Sequence, residues 1–392
     1  MMITLVLIVL AGMLPATDQP ASGDDWLRLY DTEWNSRTPV TVTNPHDVKL
    51  ENIPVIIQIG SLDLGNENAG SRNLHIYDHQ SEQTPLFQVD HSPEDDLREL
   101  VFLATLEPGQ EKTYHVYYTE SGQAWPQQKR YTFATDMPGW ESERFGYRSY
   151  GALALDIFAR KDGKYELMLP HFYNSVNDQI FNYHVEHDLG QDILHIGPTA
   201  GLAGVGLYRG DETVLLQVPF ESEVIASGTV RSIVHMQTEP FESRTGTVTV
   251  TRKATIYAHH FETQIEDRIS GTAGDVQYAV GIMKEENSST DFDSRAGLFL
   301  QWHNQGDDIG DAGIGVYVNP EDVERLAEDE SNRFILVQPP VERPLRFWAF
   351  GAWERGENIN GPDAFRRRAE RIKQLQLPAG VTVGEKQMPD TR

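Results

Sequence analysis

The stretch that decides the reading is Trp140 to Arg160, WESERFGYRSYGALALDIFAR. Its first eleven residues, Trp140 to Tyr150, hold two glutamates, two arginines and two tyrosines, and an apolar run, Leu153-Ala-Leu-Asp-Ile-Phe, follows. Counted with period two, Trp140, Ser142, Arg144, Gly146 and Arg148 fall on one face, and Glu141, Glu143, Phe145, Tyr147 and Ser149 on the other. A strand with charges on both faces is foreign to an ordinary core, because an unpaired buried charge is costly. The stretch is therefore expected to line a polar cavity or to lie at a sheet edge in water.

On both sides of it the chain reads as strands. Upstream, Val40-Thr-Val-Thr, Val55-Ile-Ile-Gln-Ile-Gly and Asn73-Leu-His-Ile-Tyr-Asp are short β segments divided by turn residues. Leu100–Leu106 and Thr113–Tyr118, joined through Glu107-Pro-Gly-Gln, read as a hairpin with Pro108-Gly109 at the centre of a type II turn. This part, 23–122, is expected to be a small accessory β-sandwich. SGQAWPQQKR, Ser121–Arg130, reads as a linker. Downstream, strand-like runs recur at 153–158, 193–196, 213–218, 230–236, 246–257, 276–283, 297–302, 314–318, 334–337 and 346–350, so 130–385 is expected to be a large antiparallel sandwich and the catalytic part. The glycine-rich run from Gly197 to Gly206 reads as a tight loop. One helix is expected, from Pro362 to about Leu375, with Phe365, Ala369, Ile372 and Leu375 on one side and a solvated arginine face around them. The fold class is thus all-β with one C-terminal helix, and a galactose-mutarotase-like supersandwich is a form compatible with the larger part.

Bulk properties narrow the function. The 392 residues carry a formal charge of −26, which argues against nucleic acid or an anionic membrane as partner. There is no cysteine, so disulfides, thiolate metal sites and a cysteine nucleophile are excluded together. Met1 to about Ser22 reads as an export signal with a short apolar core, although no Lys or Arg precedes that core. The expected location is periplasmic or secreted, and no later stretch is long and apolar enough to span a membrane. Phosphate loop, dinucleotide fingerprint, nucleophile elbow and two-histidine zinc helix are all missing.

Histidines are sparse, and His171, His184 and the pair His259-His260 sit in loop-like, polar surroundings. Tyr183 adjoins His184, and a histidine base with a tyrosine acid can run proton abstraction beside a carboxylate. Metal ligation is the competing use: His184, Glu186 and His187, or Glu141, Glu143 and His171, supply nitrogen and oxygen ligands, so a divalent ion stays open although no cofactor is required. Asp307-Asp308-Ile-Gly-Asp311 lacks the spacing of a known calcium loop. Trp140, Trp302, Trp348 and Trp353 have polar neighbours and are candidates for stacking on sugar rings.

Taken in order, Asn44-Pro45, Leu100-Val-Phe-Leu-Ala, Gly139-Trp-Glu-Ser-Glu-Arg-Phe-Gly-Tyr-Arg, Tyr183-His184, Asp192-Ile-Leu-His-Ile-Gly and Phe350-Gly-Ala-Trp resemble the ulvan dehydratase family, over roughly 36 to 380. Two departures are His91-Ser-Pro-Glu-Asp-Asp in place of an Asp/Gly-rich run, and Val185 and Leu189-Gly190 where the family has Glu and Trp-Gly. The resemblance implies an exported carbon–oxygen lyase that removes water across carbons 4 and 5 of a non-reducing-end glucuronate or iduronate. Its partner would be an anionic oligosaccharide of sulfated, ulvan-type polysaccharide. Such chemistry needs a base, an acid and a cation at the carboxylate. The corresponding assignments are His184 as base, Tyr183 or Tyr147 as acid, and Arg144 and Arg148 on carboxylate or sulfate. Glu143 and Glu141 would hold the arginines or tune the histidine, and Trp140, His171 and His259 would contact sugar. A depolymerising lyase, a glycoside hydrolase on an acidic polysaccharide and a non-catalytic carbohydrate-binding protein remain the alternatives.

Overall fold

The structure, a computed structural model, describes residues 26–389 apart from 29–31, 67–68, 93–96, 173–181, 210–211, 244–245, 272–276, 339–342 and 358. The expected leader lies outside the described residues. The fold is all-β, as the alternating runs required, and the strands among the described residues form four antiparallel sheets.

Two of these make the small sandwich. One sheet runs Gly380–Val383, Ser36–Thr43, Glu111–Tyr118, Leu74–Tyr77, and the other Leu50–Gln58, Leu97–Leu106, Phe87–Ser92. Val40, Val42, Leu100, Phe102, Tyr114 and Val116 meet between them in a core of their own. The expected hairpin is corrected here: Leu97–Leu106 and Glu111–Tyr118 do not pair, and each belongs to a different sheet. The turn itself is as read, with Gln110 N–H donating to Glu107 O at 3.0 Å and Gly109 at φ 69°. It carries the chain across the sandwich instead of back along it, because both strands bury an apolar face against the opposite sheet. The last strand is supplied from the far end of the sequence, Val40 lying opposite Val383.

A ten-stranded and a nine-stranded sheet pack face to face as the large sandwich. Its core draws Leu155, Ile157 and Val280 from the first sheet and Val250, Ile265 and Val316 from the second. Gly246–Tyr257 forms as a single strand over the expected range, and so does the helix Pro362–Leu375. Phe365, Ala369 and Ile372 of that helix cover Leu300, Trp302 and Phe350 on the outer face of the nine-stranded sheet. The glycine-rich run is only partly loop, since Leu202–Arg209 is a strand.

The two sandwiches are joined by polar and apolar contacts. Arg231 of the large one is buried and pairs with Asp90 at 2.7 Å and Glu99 at 2.5 Å of the small one. Val101 and Leu103 pack on Val230, Tyr257 and Ala258 beside it. The expected linker is strapped down as well, Trp125 stacking on Trp34 with centroids 5.5 Å apart.

Candidate active site on the outer face of the ten-stranded sheet

Trp140–Tyr150 is two strands, not one. Gly139–Ser142 and Phe145–Ser149 pair antiparallel, with Trp140 opposite Tyr147 and Glu141 opposite Gly146. The reversal is made by Ser142, whose Oγ accepts the N–H of Arg144 at 3.0 Å and of Phe145 at 3.3 Å. Folding the chain back voids the period-two faces read across the whole stretch. It also scatters the candidate residues to three places.

The first place is the core. Trp140 and Tyr147 are fully buried and stacked, and their polar ends are bound inside: indole N–H to Thr263 Oγ1 at 2.9 Å, phenol O–H to the Phe261 carbonyl. Trp140 thus cannot meet a sugar and Tyr147 cannot serve as the acid; burial also holds the Tyr147 hydroxyl far above its ordinary pKa. Glu141 is inaccessible too. Burial raises its pKa, and Arg160 with the N–H groups of Met168 and Leu169, each at 2.9 Å, opposes that rise. Its role is to anchor the loop 166–169, not to touch substrate. Trp302, Trp348 and Trp353 are buried likewise.

The second place is a cavity at the junction of the sandwiches, which receives Arg144 and His259. Glu143 stands behind it, its carboxylate taking His259 Nδ1 at 2.8 Å and the His259 backbone N–H at 3.1 Å. Burial would raise the Glu143 pKa, but these hydrogen bonds outweigh it and lower the pKa.

The third place is the outer face of the ten-stranded sheet, where His184, Tyr183 and Arg148 come together. His184 Nδ1 lies 2.9 Å from Asp192 Oδ2, so the nitrogen facing the carboxylate carries a proton and the ring is oriented with Nε2 outward. The Tyr183 ring packs against His184 with centroids 4.4 Å apart, and its hydroxyl accepts from Arg148 Nη1 at 2.9 Å. Arg148 also lies over the Tyr150 ring at 4.6 Å, and the Tyr150 and Tyr183 hydroxyls are 3.5 Å apart. Phe158, Leu169, Phe172 and Leu189 form the apolar floor that holds Tyr183.

Two residues of this site escaped the sequence reading in their roles. Asp156 sits opposite Arg148 in the neighbouring strand, and it hydrogen bonds Asp192. Burial, then the charge of Asp192, pushes the Asp156 pKa well above that of an ordinary carboxyl, so Asp156 is the protonated member that donates to Asp192. The Asp192 pKa is itself raised, by burial, against the opposing hydrogen bond from Leu194 N–H at 3.0 Å. The signal available was an aspartate inside the apolar run Leu-Ala-Leu-Asp-Ile-Phe. Asp192 is brought in by the strand Gly190–Asp192, which needs glycine at its head: at φ 148° a Cβ on residue 190 would stand 2.0 Å from the Ala159 carbonyl oxygen. His171 lies in the short helix Leu169–Phe172, and the ring it neighbours is that of His187, 6.3 Å away.

Neither proposed metal triad is assembled among the described residues: Glu141 faces Arg160, Glu143 faces His259, and Glu186 pairs with Lys161 at 2.5 Å. Among the described residues no group of three His, Asp or Glu side chains converges on one point.

Fold and site together define a two-sandwich, all-β protein with an imidazole–carboxylate dyad beside an arginine–tyrosine pair. The chain belongs to the family described as domain of unknown function (DUF4861), whose model matches residues 42–378. It matches no curated protein. Among solved structures it is similar to an alpha-mannosidase from Enterococcus faecalis V583, with a TM-score of 0.53 and 8% identity over 91% of this chain and 47% of that one. A glycosyl hydrolase family 38 protein from Enterococcus faecalis is similar at a TM-score of 0.52, 8% identity, 91% and 48% coverage. The chain therefore spans about half the length of these structures, and at this identity the likeness concerns the fold alone.

Proposed function

We propose that the protein is a carbon–oxygen lyase, a dehydratase that removes water across carbons 4 and 5 of a uronic acid at the non-reducing end of an anionic, ulvan-type oligosaccharide. The observation that carries the reading is the contact chain Asp192–His184–Tyr183–Arg148, in which His184 is exposed, Arg148 half-buried, and Tyr183 and Asp192 are buried behind them. In this reading His184 Nε2 takes the proton from carbon 5 while Asp192 holds the ring and supports the imidazolium. Arg148 neutralises the charge that develops on the uronate carboxylate. Tyr183 gives its proton to the hydroxyl on carbon 4, the C–O bond breaks, a double bond forms between carbons 4 and 5, and water leaves. The order of family-like motifs in the sequence supports the same substrate. The Asp156–Asp192 pair does not suit glycoside hydrolysis, because the two carboxyls are buried against each other instead of flanking a bond. Such a substrate lies outside the cytoplasm, which agrees with the apolar run expected to act as a leader.

The test is incubation with uronate-ended ulvan oligosaccharides, followed by ultraviolet absorbance and mass spectrometry. An unsaturated product lighter by one water and of unchanged chain length is expected. His184→Ala should lower kcat by about 10²–10⁴-fold. A flat trace would remove any eliminating activity, and a shortened chain would mean a depolymerase.

A further inference from the structure

The cavity at the junction of the sandwiches has a volume of about 910 Å³ and is walled by 48–52 of the small sandwich, 259–262 of the large one and one side of the C-terminal helix. We propose that this cleft is a second saccharide site, separate from the His184 dyad, that binds a carboxylated or sulfated oligosaccharide. The inference concerns binding and does not depend on the dehydratase reading.

Three observations carry it. The first is charge. The wall presents Lys49, Arg144, Arg367, Arg368 and Arg371 against Glu51, Asp162, Glu262 and Glu357, in a chain whose formal charge is −26. One carboxylate, Glu357, is shared by Arg144 at 2.7 Å and Arg368 at 2.9 Å, and Arg367 has no ion pair among the described residues. His260 adds to the positive side: burial works to lower its pKa, but Glu262 at 2.5 Å on Nδ1 and the Asn52 carbonyl at 2.8 Å on Nε2 leave it raised. Five cationic side chains against four carboxylates, with Arg367 unpaired among the described residues, is an arrangement that admits an anion in an acidic protein.

The second observation favours a ligand with hydroxyl donors over a bare inorganic anion. Glu262 is about 5% exposed, and its Oε2 is buried without a hydrogen-bond partner. Glu357 Oε1 and Arg144 Nε are buried and unpartnered in the same wall. Two unpartnered acceptors and one unpartnered donor on lining residues fit a ligand that carries hydroxyl donors as well as an acid group, once these side chains turn toward it. Sulfate alone would satisfy only the donor. A sugar acid satisfies both kinds.

The third is size and surface. The volume lies in the range of pockets that enclose ligands of a few rings. Tyr165, 45% exposed, supplies an aromatic face on the wall. His259, which turns the chain into the cleft, is held at φ 69°, and such strain in a non-glycine residue gathers at binding sites.

The experiment is calorimetric titration of the full chain carrying His184→Ala, so that no turnover contributes. The probes are an unsulfated hyaluronan tetrasaccharide, a chondroitin 4-sulfate tetrasaccharide and neutral cellotetraose. At least one acidic probe should bind, and cellotetraose should bind at least tenfold more weakly. Which acidic probe is preferred tells carboxylate from sulfate recognition. Adding Arg367→Ala and Arg371→Ala, both exposed on the helix and outside the core, should weaken that binding about tenfold or more. Equal affinity in that variant, or equal affinity for cellotetraose, would overturn the proposal. Binding in the His184→Ala parent is read independently of activity, so failure here and failure of the dehydratase reading are separate results.

Discussion

At the scale of the residue, paired charges explain what period-two counting could not. Glu141 is tolerated inside because Arg160 and two backbone N–H groups meet it. Glu141→Ala leaves Arg160 buried and uncompensated, and is expected to cost about 3–5 kcal/mol, measured by denaturant unfolding. Asp156 is the opposite case. Its folded pKa is raised, so the stability tied to its proton is fully present below the ordinary value of 3.8 and is lost as pH climbs through the folded value. Asp156→Asn keeps a donor toward Asp192 and removes that dependence. Its advantage in stability over the native chain should be larger at pH 8 than at pH 5, by up to about 1.4 kcal/mol per pH unit between them. An equal gap at the two values would show that Asp156 ionises freely in the fold.

Among the elements, the C-terminal helix was legible because its apolar residues recur at helical spacing and a proline opens it. Phe365 fills the space against Trp302 and Phe350, and Gly313 lets it approach, since a Cβ there would lie 2.9 Å from its ring. Phe365→Ala is expected to cost about 3–5 kcal/mol in unfolding free energy. The hairpin at 139–149 was not legible in the same way. Its turn rests on one serine hydroxyl capping two amides, and serine is common enough that Ser142 does not announce a reversal. With the turn placed, Trp140 and Tyr147 go to the core and Arg148 to the outer face. That single event undid the expected roles of Trp140 and Tyr147 and left His184, Tyr183 and Arg148 as a group.

On the scale of the whole molecule, the small sandwich is completed by the strand Gly380–Val383 and fastened by Arg231 and His260. The two sandwiches are therefore expected to unfold in one calorimetric transition, and Arg231→Met to separate or broaden it. His260 adds a pH dependence with a defined sign. Its folded pKa is raised above 6.5, so its contribution is complete below that value and is lost as pH rises through the folded one. The melting temperature should fall over that range in the native chain and less so in His260→Gln.

Alternating runs, turn residues and the late amphipathic stretch determined the all-β class and the helix, because those patterns are set by residues a few positions apart. The absence of cysteine and the acid excess were likewise plain from composition. Which strands pair, which face of the 139–149 hairpin meets solvent, and the meeting of Asp156 and Arg148 with Asp192 and His184 were decided only by the tertiary structure. These are contacts between strands and loops whose register follows from burying apolar faces against sheets formed far away in the chain, and no local pattern encodes that distance.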